Sequence, residues 1–378
     1  MNLGLYIHIP FCQQKCFYCD FPSYANIEDL QEDYVTALRR EIAAQGGIFS
    51  AYVVDTIYIG GGTPTVLSAK LLKQIIAEVK QAFVISPEIE WTIEVNPGTV
   101  DGEKLTTLFQ NGVNRLSFGV QSFNDHLLKG IGRIHDQQQS IEAINLAEKV
   151  GFQNMSLDLM YGLPQQTMDD LRESMLQATK LPVKHISIYG LKVEPGTVFA
   201  KLEEKNQLAL PSEEVDEAMY ELVMSSLPQY GYQRYEISNF ARSGFESKHN
   251  LKYWQDQPYL GLGASAHSYF EAKRFSNVSN VKEYMQRIST GVSPQEQCEK
   301  LDPKVLMEEF CFLALRTKSG IDIEKFDAKF SSNFFYAYGH IIDRLKTKKL
   351  IEQDEKHIYL TELGMKYGNQ VFCEFLLD

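Results

Sequence analysis

The run Leu3-Gly4-Leu5-Tyr6-Ile7-His8-Ile9-Pro10-Phe11-Cys12-Gln13-Gln14-Lys15-Cys16-Phe17-Tyr18-Cys19 decides how the rest of the chain is read. Its first seven residues are rich in Leu, Ile and Tyr and predict a strand. Pro10 ends it, because proline offers no N–H to a sheet ladder. Three cysteines then follow with the spacing C-x3-C-x2-C. With six cysteines in 378 residues, chance produces this spacing in roughly one such chain in several hundred. Three thiols with no nearby fourth Cys or His suit structural zinc poorly, since that ion takes four closed ligands. They suit a [4Fe–4S] cluster that leaves one iron open to a small molecule.

Outward from this run, strand candidates at residues 53–59, 89–95, 115–120, 155–160 and 185–191 alternate with amphipathic stretches at 29–44, 68–83, 102–111, 137–150 and 167–180. Six strands with helices between them predict right-handed βαβ units and a parallel sheet. The strands read as near-continuous apolar runs, as expected when both faces are covered. Such a sheet carries its functional loops at the carboxyl ends of its strands. Cys12 follows the first strand, Gly60-Gly61-Gly62-Thr63-Pro64 the second, Glu94-Val95-Asn96 closes the third, Gln121-Ser122 the fourth, and Asp158 lies on the fifth. Any one of these is an ordinary turn or strand end. Their recurrence at the same end of five successive strands predicts one shared site in a β/α barrel, partial or full.

The remainder is less regular. Residues 196–300 predict a helix at 212–227 and extra strands at 233–237, 260–266 and 274–278. Residues 301–378 read as a separate small unit, with helices at 305–315 and 333–346, a hairpin at 350–352 and 357–360, and a closing helix at 361–377. Helices followed by a β wing suggest a winged-helix-like α+β unit. The division is therefore 1–195, 196–300 and 301–378. Its charge, 37 Lys+Arg against 49 Asp+Glu for a net −12, argues against nucleic-acid binding, which needs clustered cations. No apolar run reaches the ~18–20 residues of a membrane span, and residues 1–10 lack the pattern of a secretion signal. A cytoplasmic chain with reduced thiols is expected. Cys298, Cys311 and Cys373 read as small core residues.

From Tyr6 to Cys19 the chain closely resembles the radical S-adenosylmethionine (SAM) family that includes the oxygen-independent coproporphyrinogen III dehydrogenase and its heme-chaperone relatives. The motifs GGGTP, EVNPG, GVQSF, GRIH and DLMYGLP follow in that family's order. The resemblance implies a radical SAM partial (β/α)6 barrel with a smaller C-terminal α+β domain. It also implies a [4Fe–4S] cluster on Cys12, Cys16 and Cys19. Tyr6, Gly62, Thr63, Glu94, Gln121, Arg133 and Asp158 match the family's SAM-contacting positions, and Tyr18 matches an aromatic near the adenine. Elementary chemistry agrees. Backbone around Gly61, Gly62 and Thr63 admits the methionine end of SAM, Glu94 suits ribose hydroxyls, and a guanidinium such as Arg133 suits a carboxylate.

Two departures bear on the choice between relatives. Asp20-Phe21 stands where the dehydrogenase carries a further cysteine, and the first strand begins almost at Met1, without the dehydrogenase's N-terminal extension. A third feature, His249-Asn250-Leu251-Lys252-Tyr253-Trp254, resembles the HNxxYW motif of the heme-chaperone group. It offers an imidazole for heme iron and aromatic faces for a porphyrin. His267 is a second imidazole candidate, and His8 lies one step from the cysteine loop. The expectation is a cytoplasmic heme chaperone that carries a cluster and SAM and delivers heme to a respiratory apoprotein. Peripheral membrane association and a homodimer are the accompanying expectations. The alternative is the dehydrogenase itself, acting in porphyrin biosynthesis.

Overall fold

The computed structural model describes residues 2–377. Its body is six strands: β1 (Asn2–Ile9), β2 (Val53–Gly61), β3 (Val84–Val95), β4 (Arg115–Gln121), β5 (Asn154–Tyr161) and β6 (His185–Gly190). Each pairs in parallel with the next. The crossovers are the helices Gln31–Ile48, Ala69–Ala82, Gly102–Gln110, Gln137–Val150 and Met168–Lys180. Polar caps start them where the sequence supplies them. Asp136 with Gln139, and Thr167 with Asp170, form reciprocal capping boxes that satisfy otherwise orphaned N–H groups.

The six strands do not close on themselves. β7 (Gln233–Arg234) and β8 (Asn239–Ala241) extend the sheet antiparallel beyond β6. On the other side β9 (Tyr259–Leu262) lies parallel to β1 and leads into the antiparallel strands β10 (His267–Phe270), β11 (Lys273–Asn277) and β12 (Gln295–Lys300). The full order is β12-β11-β10-β9-β1-β2-β3-β4-β5-β6-β8-β7. This is the expected partial (β/α)6 barrel. The predicted strand over 260–266 is shorter than expected, because Gly263 (φ 98) and Ser265 (φ 63) turn the chain between β9 and β10.

The strands differ from the near-continuous apolar runs expected of them. On β1, Leu3, Leu5, Ile7 and Ile9 are fully buried, and each contributes about 2 kcal/mol of transfer free energy. The intervening positions carry Gly4, Tyr6 and His8. The same period of two runs through β4, where Leu116, Phe118 and Val120 join the core while Arg115, Ser117, Gly119 and Gln121 line the lumen. It recurs in β6, with Ile186 and Ile188 in the core and His185, Ser187 and Tyr189 on the lumen. The barrel interior is thus polar, and its hydrophobic core lies between sheet and helices.

A second apolar cluster, containing Cys311, Phe326, Phe334, Tyr338 and Phe375, holds the C-terminal region together. There the helices Pro303–Ala314, Ile323–Phe330 and Phe334–Thr347 pack with a three-stranded sheet. Its strands are β13 (Ile321–Asp322), β14 (Ile351–Gln353) and β15 (His357–Leu360), in the order β13-β15-β14. This is winged-helix-like, as expected. The predicted helix over 361–377 is instead two, Glu362–Lys366 and Gly368–Glu374. Gly364 is pinned against the Leu350 carbonyl, where a Cβ would stand 1.8 Å from the oxygen, and Gly368 is a weak helix former. Cys311 is buried, but Cys298 and Cys373 are exposed rather than core residues. Cys298 sits on β12, an edge strand exposed along its whole length. Among the described residues no helix is long and apolar enough to cross a membrane.

Candidate functional site

The lumen and the carboxyl ends of the strands form one cavity of about 680 Å³. Every residue expected at the cluster and SAM site lines it: Cys12, Cys16, Cys19, Tyr6, Tyr18, Gly62, Thr63, Glu94, Gln121, Arg133 and Asp158. They come from five strands or the loops that follow them, from the cysteine loop and, for Arg133, from the segment between the helices Asp125–Gly130 and Gln137–Val150, so only the fold brings them together.

The cysteine loop is held from below. Cys12 N–H donates to the Tyr24 carbonyl at 2.9 Å, Gly62 N–H to the Ile9 carbonyl at 2.8 Å and Thr63 N–H to the Phe11 carbonyl at 2.7 Å. The loop after β2 therefore braces the loop after β1. His8 is a strut between strand and loop. Its Nε2–H donates to the Pro22 carbonyl at 2.8 Å, which leaves Nδ1 to accept from Tyr6 Oη at 3.0 Å. Its role is positional, and it does not line the cavity. His267 is exposed and also lies off the cavity.

The residues present fit a multi-iron group. Among the described residues no three Cys, His, Asp or Glu side chains close around a point suited to a single metal ion. The triplet instead offers three separated thiols to one cavity, and in a cluster each thiolate takes a different iron. Burial pushes the Cys12 and Cys19 thiols up. Arg133 Nη1 donates to Cys16 Sγ at 3.4 Å, which places a cation where thiolate charge would gather. At Gly62 a Cβ would stand 2.6 Å from the Phe11 carbonyl and 3.0 Å from Cys12 Sγ, so only glycine lets the two loops meet.

Glu94 accepts from Tyr58 Oη at 2.8 Å and from Gly61 N–H at 3.1 Å. Burial nevertheless lifts its carboxyl to about 7. Burial likewise lifts Asp158 to about 6, against the favourable Ser187 hydrogen bond and the nearby Arg115 and Arg133 charges. The folded Glu94 thus holds its proton more tightly than an unfolded one near 4.5. Its contribution to stability is full below that value and is lost as pH rises through about 7. Glu94→Gln should therefore lose less thermal stability than wild type between about pH 5 and pH 8, a difference of about 2 °C or more in paired melts. Equal slopes would contradict the assignment.

The HNxxYW stretch lies on the short helix Lys248–Trp254, beside Thr56 of β2 and Glu90 of β3. Glu90 Oε1 and Oε2 accept from its first N–H groups, at 3.0 and 3.1 Å. His249, Asn250 and Tyr253 line the same cavity as the cysteines. His249 is 1% exposed. It stacks on Tyr58 with centroids 5.4 Å apart, and it bonds Thr56 Oγ1 through Nδ1 at 2.9 Å and Tyr253 Oη through Nε2 at 2.8 Å. Burial lowers its imidazole to about 3, so it is neutral and suited to a metal, although both ring nitrogens are engaged. Trp254 turns away from the cavity. The Arg316 guanidinium lies over its ring at 5.3 Å and over Phe372 at 4.8 Å, which ties the barrel to the C-terminal unit.

Tyr58, Arg115, Ser117, His185 and Ser187 also line the cavity and were not singled out from the sequence. The period of two was the signal for three of them: Tyr58, Ser117 and Ser187 each lie between two apolar residues, whereas Arg115 and His185 open their strands behind Asn114 and Lys184.

A parallel partial (β/α)6 barrel with three cysteines past its first strand, facing a polar lumen, defines a radical SAM protein. The profile of the Radical SAM superfamily matches residues 6–178, and that of the HemN C-terminal domain matches residues 301–366. The chain is 41% identical to the heme chaperone HemW of Bacillus subtilis, over 98% of both chains. It is 40% identical to that of Lactococcus lactis, over 99% of this chain and 97% of the relative. The coproporphyrinogen III oxidase (HemN) of Escherichia coli, a radical SAM enzyme, has a similar structure, with a TM-score of 0.88 at 25% identity, covering 99% of this chain and 90% of that one. The chain belongs to the heme chaperone HemW family.

Proposed function

We propose that this protein is a cytoplasmic heme chaperone that carries a [4Fe–4S] cluster and SAM and hands heme to respiratory apoproteins. The observation that carries the reading is the meeting of two motifs in one cavity, the cysteine triplet at its mouth and His249, Asn250 and Tyr253 deeper in the lumen. Cys12, Cys16 and Cys19 would hold the cluster. Gly62, Thr63, Gln121 and Arg133 would take the methionine end of SAM, Glu94 and Asp158 its hydroxyls and amine, and Tyr6 and Tyr18 its flat faces. When bound, this pair supplies one-electron chemistry, which belongs to the cofactor. The chain's own residues orient it, and the buried carboxylates and guanidinium set the charge around it. Heme is the cargo. His249 can reach its iron only by giving up the Tyr253 or Thr56 hydrogen bond, so loading requires a local rearrangement of the short helix. Trp254, through Arg316, would transmit that rearrangement to a separate C-terminal unit, residues 301–378. Membrane association and dimerisation would serve delivery.

The Escherichia coli oxidase shares the fold, but Asp20-Phe21 replaces the further cysteine expected of the dehydrogenases, and the chaperone relatives match at higher identity. Porphyrinogen decarboxylation is therefore not the favoured activity. Heme-loaded protein should restore activity to the apo form of a heme-requiring respiratory enzyme faster than an equal amount of free heme. Equal rates, or decarboxylation of coproporphyrinogen with 5′-deoxyadenosine release, would overturn the chaperone reading.

A further inference from the structure

We propose that Arg115 anchors a carboxylate-binding subsite deep in the barrel lumen, and that the carboxylate it receives is a propionate group of heme. The naming of heme rests on the chaperone reading above, while the subsite stands on geometry alone.

Arg115 opens β4 and points into the lumen, where it lines the cavity. It is 2% exposed. Its Nε has no hydrogen-bond partner, and Nη1 makes one long contact, to Thr92 Oγ1 at 3.5 Å. Asp158 shares the cavity and feels the Arg115 charge, but among the described residues no carboxylate oxygen lies within the 4.0 Å of an ion pair with it. Lys252, another buried cation of the barrel region, by contrast pairs with Asp55 at 2.8 Å. A guanidinium removed from water with its Nε unbonded and no carboxylate in direct contact is disfavoured. Its planar donor fork matches a carboxylate in a bidentate pair.

His185, on the adjoining part of the lumen, supplies an independent observation. It is 1% exposed, and its Nδ1 has no partner. Tyr235 Oη accepts from Ser247 N–H at 3.2 Å and stands 2.8 Å from His185 Nε2. In the tautomer in which Tyr235 Oη donates to Nε2, the imidazole carries its proton on Nδ1. The result is a second buried donor without an acceptor, in the same cavity as Arg115. Ser117 lines the same cavity, and its Oγ accepts from Ser156 at 2.9 Å, which leaves its own proton to give. A guanidinium with an unpartnered Nε, an imidazole Nδ1 without a partner and the Ser117 hydroxyl together suit an anion with several acceptor sites. A propionate arm is long and thin enough to reach them from a ring held higher in the cavity.

The test compares heme with heme dimethyl ester, whose propionates are capped, in cluster-reconstituted wild type and Arg115→Gln. Wild type should prefer the free acid by roughly tenfold or more, and the variant should lose most of that preference. A parallel arm uses sodium propionate alone, which should raise the melting temperature of wild type above a sodium chloride control and leave Arg115→Gln unmoved. If heme fails to bind saturably, the chaperone reading falls and the propionate arm still decides the subsite. If Arg115→Gln does not fold, the two wild-type comparisons decide it. Equal affinity for heme and its ester, or a preference that survives in the variant, would overturn the propionate assignment. Absence of protection by propionate would overturn the subsite.

Discussion

Replacing Cys16 with serine is expected to abolish assembly of the [4Fe–4S] cluster while the C-terminal unit stays folded. Cys16 is one of only three cysteines on the cavity, and Arg133 already directs Nη1 at its sulfur. A serine oxygen is shorter, harder and far less acidic than a thiol, so it forfeits the soft ligation that iron–sulfur clusters need. The remaining two thiols cannot retain the cluster. The loop itself should survive, since it is pinned by backbone bonds from Cys12, Phe17 and Cys19 rather than by the Cys16 side chain. The apolar cluster around Phe326 and Tyr338 is separate from that of the barrel, so it should not register the change. Iron and sulfide content, visible absorption and EPR after anaerobic reconstitution check this. A full complement of iron in the variant would remove the ligand assignment.

Glu41→Ala is expected to destabilise the protein by about 3–5 kcal/mol. Glu41 is 3% exposed in the helix Gln31–Ile48. It accepts from Gly263 N–H at 2.7 Å, Tyr284 Oη at 2.6 Å and Asn277 Nδ2 at 2.7 Å. Beside it, Tyr34 Oη donates to the His8 carbonyl at 2.8 Å and accepts from Ala264 N–H at 3.0 Å. The loop after β9 is thereby fastened to the strand beneath the cysteines. Alanine would strand three buried donors and loosen that fastening. Urea unfolding should show the loss in stability, and cluster reconstitution should slow. A change below about 1 kcal/mol would mean that the donors find other partners.

The six body strands and the cysteine loop were legible because periodicity and spacing are local properties. Residues 3–9 read correctly as a strand, and the recurrence of polar groups at strand ends correctly grouped Glu94, Gln121 and Asp158 with the cysteines in one cavity. Reading the strands as uniformly apolar hid the polar lumen. Gly4, Tyr6 and His8 in β1, and Arg115 and Ser117 in β4, show the alternation once the lumen is known. Other features depend on tertiary contacts that no window of sequence contains. The seat of His249 beside Thr56 and Tyr58 joins residues nearly two hundred positions apart. The close approach of Gly364 to the Leu350 carbonyl joins residues fourteen positions apart. The turning of Trp254 towards Arg316 split a motif whose residues had been read as a single heme face.

The most direct test of the central claim, that one cavity serves both the cluster and heme, is an anaerobic heme titration of the cluster-reconstituted protein followed by absorbance, with His249→Ala beside it. The account predicts saturable binding near one heme per chain in wild type, with loss or a marked change of the heme spectrum in the variant. Absence of saturable binding by wild type would contradict it.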